Sequence, residues 1–347
     1  MRLRHVYAVS DLHADHLQNM QLIEAIAQSG KHQRDVLLVA GDVSEKLDVW
    51  KMAMETLAGA FGVVFFVPGN HDLWVRRDGA DGKDSLAKLD RLLASCHDIG
   101  VLTSPHCLQL DNAAVDIHPI FSFYHSSFDV EPDVEELRLP SVTRAILDYT
   151  ACRWPPPLTT GSYILAETFD RMNDALLHSS QPIHTAATPL RVHGSEKGSC
   201  SSIISFSHFL PRIELCPEKR FLIYPPLMKA VGSNLLGARV DSLASKLHVF
   251  GHTHFGWDTS LDGIRYIQAP LGYPRERLTR SRAMIIGQSS TFPLLKVFDG
   301  VLGCESASYS ASWSDYYAEN ARNPSLTFPA PWVLDYYRLR APKRIKL

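Results

Sequence analysis

None of the six cysteines (Cys96, Cys107, Cys152, Cys200, Cys216 and Cys304) stands in a C-x-x-C pair. That spacing excludes a zinc ribbon and predicts reduced thiols in a cytosolic-type compartment rather than a disulfide framework. Long apolar runs are missing as well: no stretch approaches the roughly 18 uninterrupted residues of a membrane span, so no membrane partner is expected. Nor is there an excess of charge of one sign, since 35 basic and 37 acidic residues leave a formal charge of −2. Nothing global draws the chain to nucleic acid or an anionic surface, although a local patch stays open. There is no internal repeat. The opening MRLRHVYAVSDLH is strand-like by about residue 5, which leaves no room for a signal or transit peptide. A cytoplasmic protein is the expectation. The final Ile345, Lys346 and Leu347 lack the small first residue of a peroxisomal Ser-Lys-Leu address.

What is present is ordinary globular material. The 347 residues are 45% hydrophobic and 21% charged, enough for one large α/β domain or two medium ones with a full core. Apolar runs rich in Val, Ile and Phe recur as HVYAVSD (5–11), DVLLVAGD (35–42), GVVFFVPGN (62–70), AAVDIHPIFSF (113–123), SIISFSH (202–208) and LHVFGHTH (247–254). They read as buried strands. Helix-period segments at 16–29, 46–61 and 84–98 lie between the first of them, and alternating strand and helix implies a parallel-type α/β core. Beyond residue 255 the runs IRYIQAP, RAMIIG and LLKVFD predict short strands of a second sheet or a sheet edge. An inserted region at about 125–202 carries a helical piece at 130–150, the breaker WPPP, a helix at 161–178 and a polar loop from 179 to 202. The expected organisation is one domain over 1–303 containing this insertion, followed by a Tyr-rich, basic-ended extension over 304–347. Long loops in compact enzymes often act as lids, and the insertion is read as a cover over the site.

The strand ends carry the chemistry. The first run ends in Asp11 and His13, the second in Gly41 and Asp42, and the third in Gly69, Asn70, His71 and Asp72. The fifth ends in His208 and the sixth in Gly251, His252, Thr253 and His254. Each has an ordinary explanation taken singly: Asp11 as a helix cap, Asp42 as a turn former, Asn70 and Asp72 as caps, His208 as a core histidine bonded to backbone. Taken together, five strands deliver Asp, His and Asn to one sheet edge, the place where open α/β sheets bind ligands. Imidazole with carboxylate and amide oxygen, and no sulfur, favours borderline divalent ions. Seven such side chains exceed one tetrahedral site, so two metals about 3.5–4 Å apart are more economical, with Asp42 the natural bridging carboxylate.

The ordered series DLH (11–13), GDVSE (41–45), GNHD (69–72), SH (207–208) and GHTH (251–254) resembles the calcineurin-like metallophosphoesterase superfamily. The resemblance implies a four-layer α/β/β/α sandwich and two divalent or trivalent metal ions, manganese, iron or zinc. It implies that Asp11, His13 and His254 bind one metal, that Asn70, His208 and His252 bind the other, and that Asp42 bridges both. It also implies that His71 contacts the substrate or protonates the leaving oxygen, with Asp72 orienting its ring. The activity implied is hydrolysis of a phosphate ester by metal-bound hydroxide. One departure matters: protein Ser/Thr phosphatases continue the second motif to a phosphate-binding arginine, whereas here GDVSEK runs to Glu45 and Lys46. Arg76, Arg77 and His125 are the candidates for contacting the substrate instead, with Arg153 and Arg212 behind them.

Two other readings stay open. A nuclease or cyclic-nucleotide phosphodiesterase would use the same core, although near-neutral charge argues against long duplexes as substrates. A silent scaffold of the same fold would be expected to have lost a ligand or the GNH histidine, and neither is missing. The motifs do not distinguish monoester, diester and pyrophosphate, and they name no protein partner.

Overall fold

The computed structural model describes residues 2–77, 84–176, 202–287 and 294–340. The chain opens with β1 (His5–Ser10), α1 (Leu17–Ser29), β2 (Val36–Ala40), α2 (Leu47–Ala60), β3 (Val63–Val67) and α3 (Ser85–Ile99). Every residue of β2 and β3 is buried. That is the pattern of a parallel strand covered on both faces, and it explains why these runs show no polar alternation. Helix boundaries follow local chemistry. Asp84 caps α3 by accepting the Ala87 N–H at 2.8 Å, and Gly100, at φ 76°, closes its far end in the left-handed conformation that glycine adopts without a Cβ penalty.

The rest of the chain supplies β4 (His106–Gln109), β5 (Ala114–Pro119), the short α4 (Val142–Ala145) and α5 (Asp148–Ala151), α6 (Tyr163–Leu176) and β6 (Ser202–Phe206). Then follow α7 (Asn234–Ser242), β7 (Leu247–Phe250), β8 (Trp257–Leu261), β9 (Ile264–Gln268), α8 (Pro274–Thr279), α9 (Ser281–Met284), β10 (Leu295–Asp299), β11 (Cys304–Glu305), α10 (Ser312–Glu319) and α11 (Pro331–Arg340). One sheet has the order β11-β10-β1-β2-β3, with β1, β2 and β3 parallel and β10 antiparallel to β1. The other has the order β4-β5-β6-β7-β9-β8, parallel from β5 to β9 with antiparallel edges.

The sheets meet across a single core in which the Phe65 and Phe206 rings pack edge-on at 6.5 Å. On the outside of the first sheet, Trp50 of α2 meets Phe66 at 5.1 Å. These are the stacked sheets and flanking helices of the expected α/β/β/α layering. The two sheets are also stitched at one end, where the Ser10 N–H bonds the Ala269 carbonyl at 3.0 Å and the Leu271 N–H returns to the Ser10 carbonyl at 2.9 Å. The carboxyl ends of both parallel sets therefore open onto one crevice.

Several expectations need correction. RAMIIG is no strand: Ser281–Met284 is a helical turn, because a short apolar run has no period that separates strand from helix. LLKVFD does form β10, but in the first sheet beside β1 rather than in the second. The acidic piece at 130–150 holds only α4 and α5. Cys107 is disulfide-bonded, against the expectation of reduced thiols, while Cys96, Cys152, Cys216 and Cys304 are free. The polar loop expected at 179–202 and the basic residues beyond Arg340 lie outside the described residues, except Ser202, which begins β6. No helix among the described residues is long and apolar enough to cross a membrane.

Candidate metal centre

The turns that leave β1, β2 and β7 hold strained backbone. Asp11, His13, Asp42, His252 and His254 all have positive φ, between 42° and 78°, and they are five of the seven non-glycine residues so placed among the described residues. The left-handed region costs an L-residue about 1–3 kcal/mol, and such strain gathers at functional sites. Here it aims side chains from three turns at one point. Two glycines make the approach possible. A Cβ on Gly41 would stand 2.5 Å from His208 Nδ1, and one on Gly69 would stand 2.6 Å from the Asp42 backbone nitrogen.

Three overlapping groups result: Asp11, His13 and His254; His13, Asp42 and His71; Asp42, His208 and His252. Within each group, one ligand atom per residue lies within 4.8 Å of the others. In the first group His254 Nε2 is 3.1 Å from His13 Nε2 and 3.4 Å from Asp11 Oδ1. In the last, His208 Nε2 is 3.5 Å from Asp42 Oδ2. Asn70 joins it, with Oδ1 at 3.1 Å from His208 Nε2 and 3.0 Å from His252 Nδ1.

The bonds on the outer side of each ring decide which nitrogen faces inward. His208 Nδ1 donates to the Ala40 carbonyl at 2.9 Å and His252 Nε2 to the Ala230 carbonyl at 2.7 Å. His254 Nδ1 donates to Glu276 Oε2 at 2.5 Å. A carbonyl or carboxylate oxygen can only accept, so on His208 and His252 the protons sit outward and the lone pairs face the cluster. Burial lowers the pKa of His208 to about 3 and also lowers that of His252, which keeps both rings neutral. The Asn70 amide nitrogen is spent outward, donating to Asp148 Oδ1 at 2.8 Å. Two ring nitrogens thus lie 3.0 and 3.1 Å from the Asn70 carbonyl oxygen, each an acceptor. A cation satisfies such a point.

The carboxylates fit the same conclusion. Burial, together with Asp72 and Asp11, pushes Asp42 well above the usual carboxylate range. Burial opposes the charge of Asp11, but His254 and the Ser10 hydroxyl overcome it and hold Asp11 below that range. His254 feels burial too, outweighed by Asp11 and Glu276, and is pushed up to about 10. A cation entering beside it displaces a proton.

His71 occupies the rim. Its side chain keeps 17% exposure, against 0% for His208 and 2% for Asp42. Nε2 lies 3.9 Å from Asp42 Oδ2 and 3.2 Å from the Tyr273 hydroxyl, and the ring stacks on Trp74 with centroids 3.6 Å apart. Burial and the neighbouring His254, His208 and His252 hold it well below the usual imidazole range. Asp72 does not orient this ring, contrary to the sequence expectation. Its Oδ1 accepts the N–H groups of Val43 and Ser44 at 2.9 and 3.1 Å, and its Oδ2 those of Asp42 and Gly69, both at 2.8 Å. Asp72 therefore shapes the Asp42 turn, while Trp74 and Tyr273 hold His71.

The three residues expected to contact substrate are engaged elsewhere. Arg76 and Arg77 both pair with Glu45, through Nε at 2.7 and 2.8 Å, and Arg76 also lies over the Trp74 ring at 4.7 Å. His125 is buried, with Nδ1 at 2.9 Å from Ser127 Oγ and Nε2 at 2.7 Å from Asn234 Oδ1. Arg212 pairs with Glu214 and Asp262. Sequence reasoning missed Asp148, Tyr273 and Glu276. The last two follow β9, a parallel strand whose end opens onto the same edge, and the strand-end argument applied to IRYIQAP would have found them.

Residues 4–137 match the calcineurin-like phosphoesterase family. The [acyl-carrier-protein] phosphodiesterase PptH of Mycobacterium tuberculosis (strain ATCC 25618 / H37Rv) is 27% identical over 275 residues, covering 78% of each chain. The crystal structure of phosphopantetheinyl hydrolase (PptH) from Mycobacterium tuberculosis superposes with a TM-score of 0.59 at 24% identity, over 80% of this chain and 92% of that one.

Proposed function

We propose that the chain is a calcineurin-like metallophosphoesterase, a metal-dependent phosphoester hydrolase, and that it cleaves a phosphodiester, the bond joining a phosphopantetheinyl group to a carrier protein. One observation carries the choice of substrate: the similarity to a phosphodiesterase of that name runs over 275 residues and 78% of both chains, well beyond the motifs. The charges around the cluster support a diester. A fully ionised monoester brings one more negative charge than a diester, and the guanidinium groups next to GNHD are both paired with Glu45.

Asp11, His13 and His254 would hold one ion, Asn70, His208 and His252 would hold the other, and Asp42 would serve both. Manganese, iron and zinc suit this nitrogen and oxygen set. Bound there, a metal pair supplies Lewis acidity toward phosphoryl oxygens and lowers the pKa of water. The chain's own groups do the rest. His208 and His252 are locked in one tautomer by two carbonyls, so their lone pairs need no reorientation, and Glu276 fixes the His254 ring through its Nδ1–H. His71, on the rim, is placed to hydrogen-bond the leaving oxygen, and its stack on Trp74 fixes the ring plane.

The experiment is release of the phosphopantetheinyl group from a holo carrier protein by manganese-loaded chain, followed by mass spectrometry. Carrier protein lighter by that group, with its serine hydroxyl restored, is the expected product. Hydrolysis of aryl diesters with an untouched carrier protein would retain the phosphodiesterase and reject the substrate.

A further inference from the structure

Asp148 lies in α5, within the segment inserted between β5 and β6, and is 1% exposed. Its Oδ1 accepts two N–H groups, from Asn70 Nδ2 at 2.8 Å and from Trp74 Nε1 at 2.7 Å. Its Oδ2 accepts the Tyr124 hydroxyl at 3.0 Å. The carboxylate is thus satisfied by three buried donors, one of which belongs to a candidate metal ligand.

A primary amide has two ends of nearly equal shape, and its neighbours decide which end faces where. Unconstrained, the Asn70 amide would turn its NH2 inward, because His208 Nε2 and His252 Nδ1 both offer lone pairs there. The hydrogen bonds formed would close that half of the centre to a cation. Asp148 prevents this: a carboxylate only accepts, so the NH2 faces Asp148 and the carbonyl oxygen is left facing the two imidazoles. We propose that Asp148 is a positioning residue of the metal centre, which fixes the Asn70 carbonyl oxygen as the ligand atom and makes the inserted segment part of the Asn70, His208 and His252 half-site. The inference rests on the ligand assignment given above. Trp74 shares the same carboxylate oxygen and lies under His71, so one buried acid from the insertion ties the half-site to the histidine on the rim.

The test is metal stoichiometry of the full chain by equilibrium dialysis and elemental analysis, at a free manganese concentration just sufficient to saturate the wild type with two ions. Folding is followed by near-UV circular dichroism. Loss of a buried group that orients a ligand weakens metal binding about 10- to 100-fold, so Asp148→Ala is expected to hold about one ion. Asp148→Asn, whose side-chain oxygen still accepts both N–H groups, is expected to hold two. Adding Asn70→Asp to Asp148→Ala presents an oxygen whichever way the group turns and is expected to restore the second ion, an effect that a merely structural role would not produce. If Asp148→Ala does not fold, Asp148→Ser takes its place with the same expectation. Two ions bound at wild-type affinity by the folded alanine or serine variant would overturn the proposal, as would failure of Asn70→Asp to restore the second. A wild-type chain that takes up fewer than two ions would contradict the ligand assignment itself, and the proposal with it.

Discussion

Asp42 and Glu276 show how much of this site is decided by single acceptors. Asp42 Oδ1 accepts the His71 N–H at 2.8 Å, which leaves Oδ2 to face His208 and His71. Asp42→Asn keeps an acceptor for that N–H but removes the charge, so the variant should fold with a near-normal melting temperature and lose hydrolysis. An active Asp42→Asn would contradict the dinuclear assignment. Glu276 acts at one remove, through the Nδ1–H of His254. Glu276→Ala should weaken metal binding about 10- to 100-fold while the chain stays folded, as metal titration would read it. The candidate ligands were legible because a parallel sheet sends the residues after its strands to one edge. The role of Asp72 was not legible, since a carboxylate that caps a turn and one that orients a ring are the same letter in the sequence. Only the four backbone donors around it separate the two.

At the scale of the element, the turns after β1, β2 and β7 are the working parts, and their left-handed residues mark where folding energy is given up for geometry. The turn after β3 must pass close to the Asp42 turn, and Gly69 makes that possible. Gly69→Ala places a methyl against the Asp42 carboxylate and backbone nitrogen. It should cost about 1–3 kcal/mol, as overpacking does, and should lower the melting temperature and the metal content together. A stable, fully metallated Gly69→Ala would show that the turn has room to spare. Strands β1, β2, β3, β5, β6, β7, β9 and β10 were readable from apolar runs punctuated by Gly, Pro and Asp, and α1, α2, α3 and α6 from their period. Among what was not readable are β4, β8, β11, α7, α8, α10 and α11, the return of β10 to β1, which is a matter of long-range pairing, and the helical turn at Ser281–Met284.

Across the whole molecule, the centre joins the two sheets. Asp11 and His13 come from the first and His254 from the second, and Asp42 and Asn70 from the first face His208 and His252 from the second. Binding of each ion at a hundred times its dissociation constant should therefore stabilise the fold by about 2.7 kcal/mol, provided the unfolded chain does not bind it. Calorimetry with and without chelator checks this, and an unchanged melting temperature would mean that the folded chain does not bind the ions in preference to the unfolded one. The C-terminal segment is tied to the body through Tyr317 to Glu218, Arg322 to Glu131, and the stacking of Trp332 on Phe221 at 5.5 Å. None of these contacts has a local sequence signal, which is why the sequence alone shows only a Tyr-rich, basic-ended extension.

The most direct measurement is hydrolysis of an aryl phosphodiester and the matching aryl monoester by metal-free chain resupplied with manganese, beside His71→Ala with its metal content determined. The account predicts activity that requires the metal, favours the diester, and falls about 10²- to 10⁴-fold in the variant while two ions remain bound. Full turnover by His71→Ala, or hydrolysis that persists without metal, would contradict it.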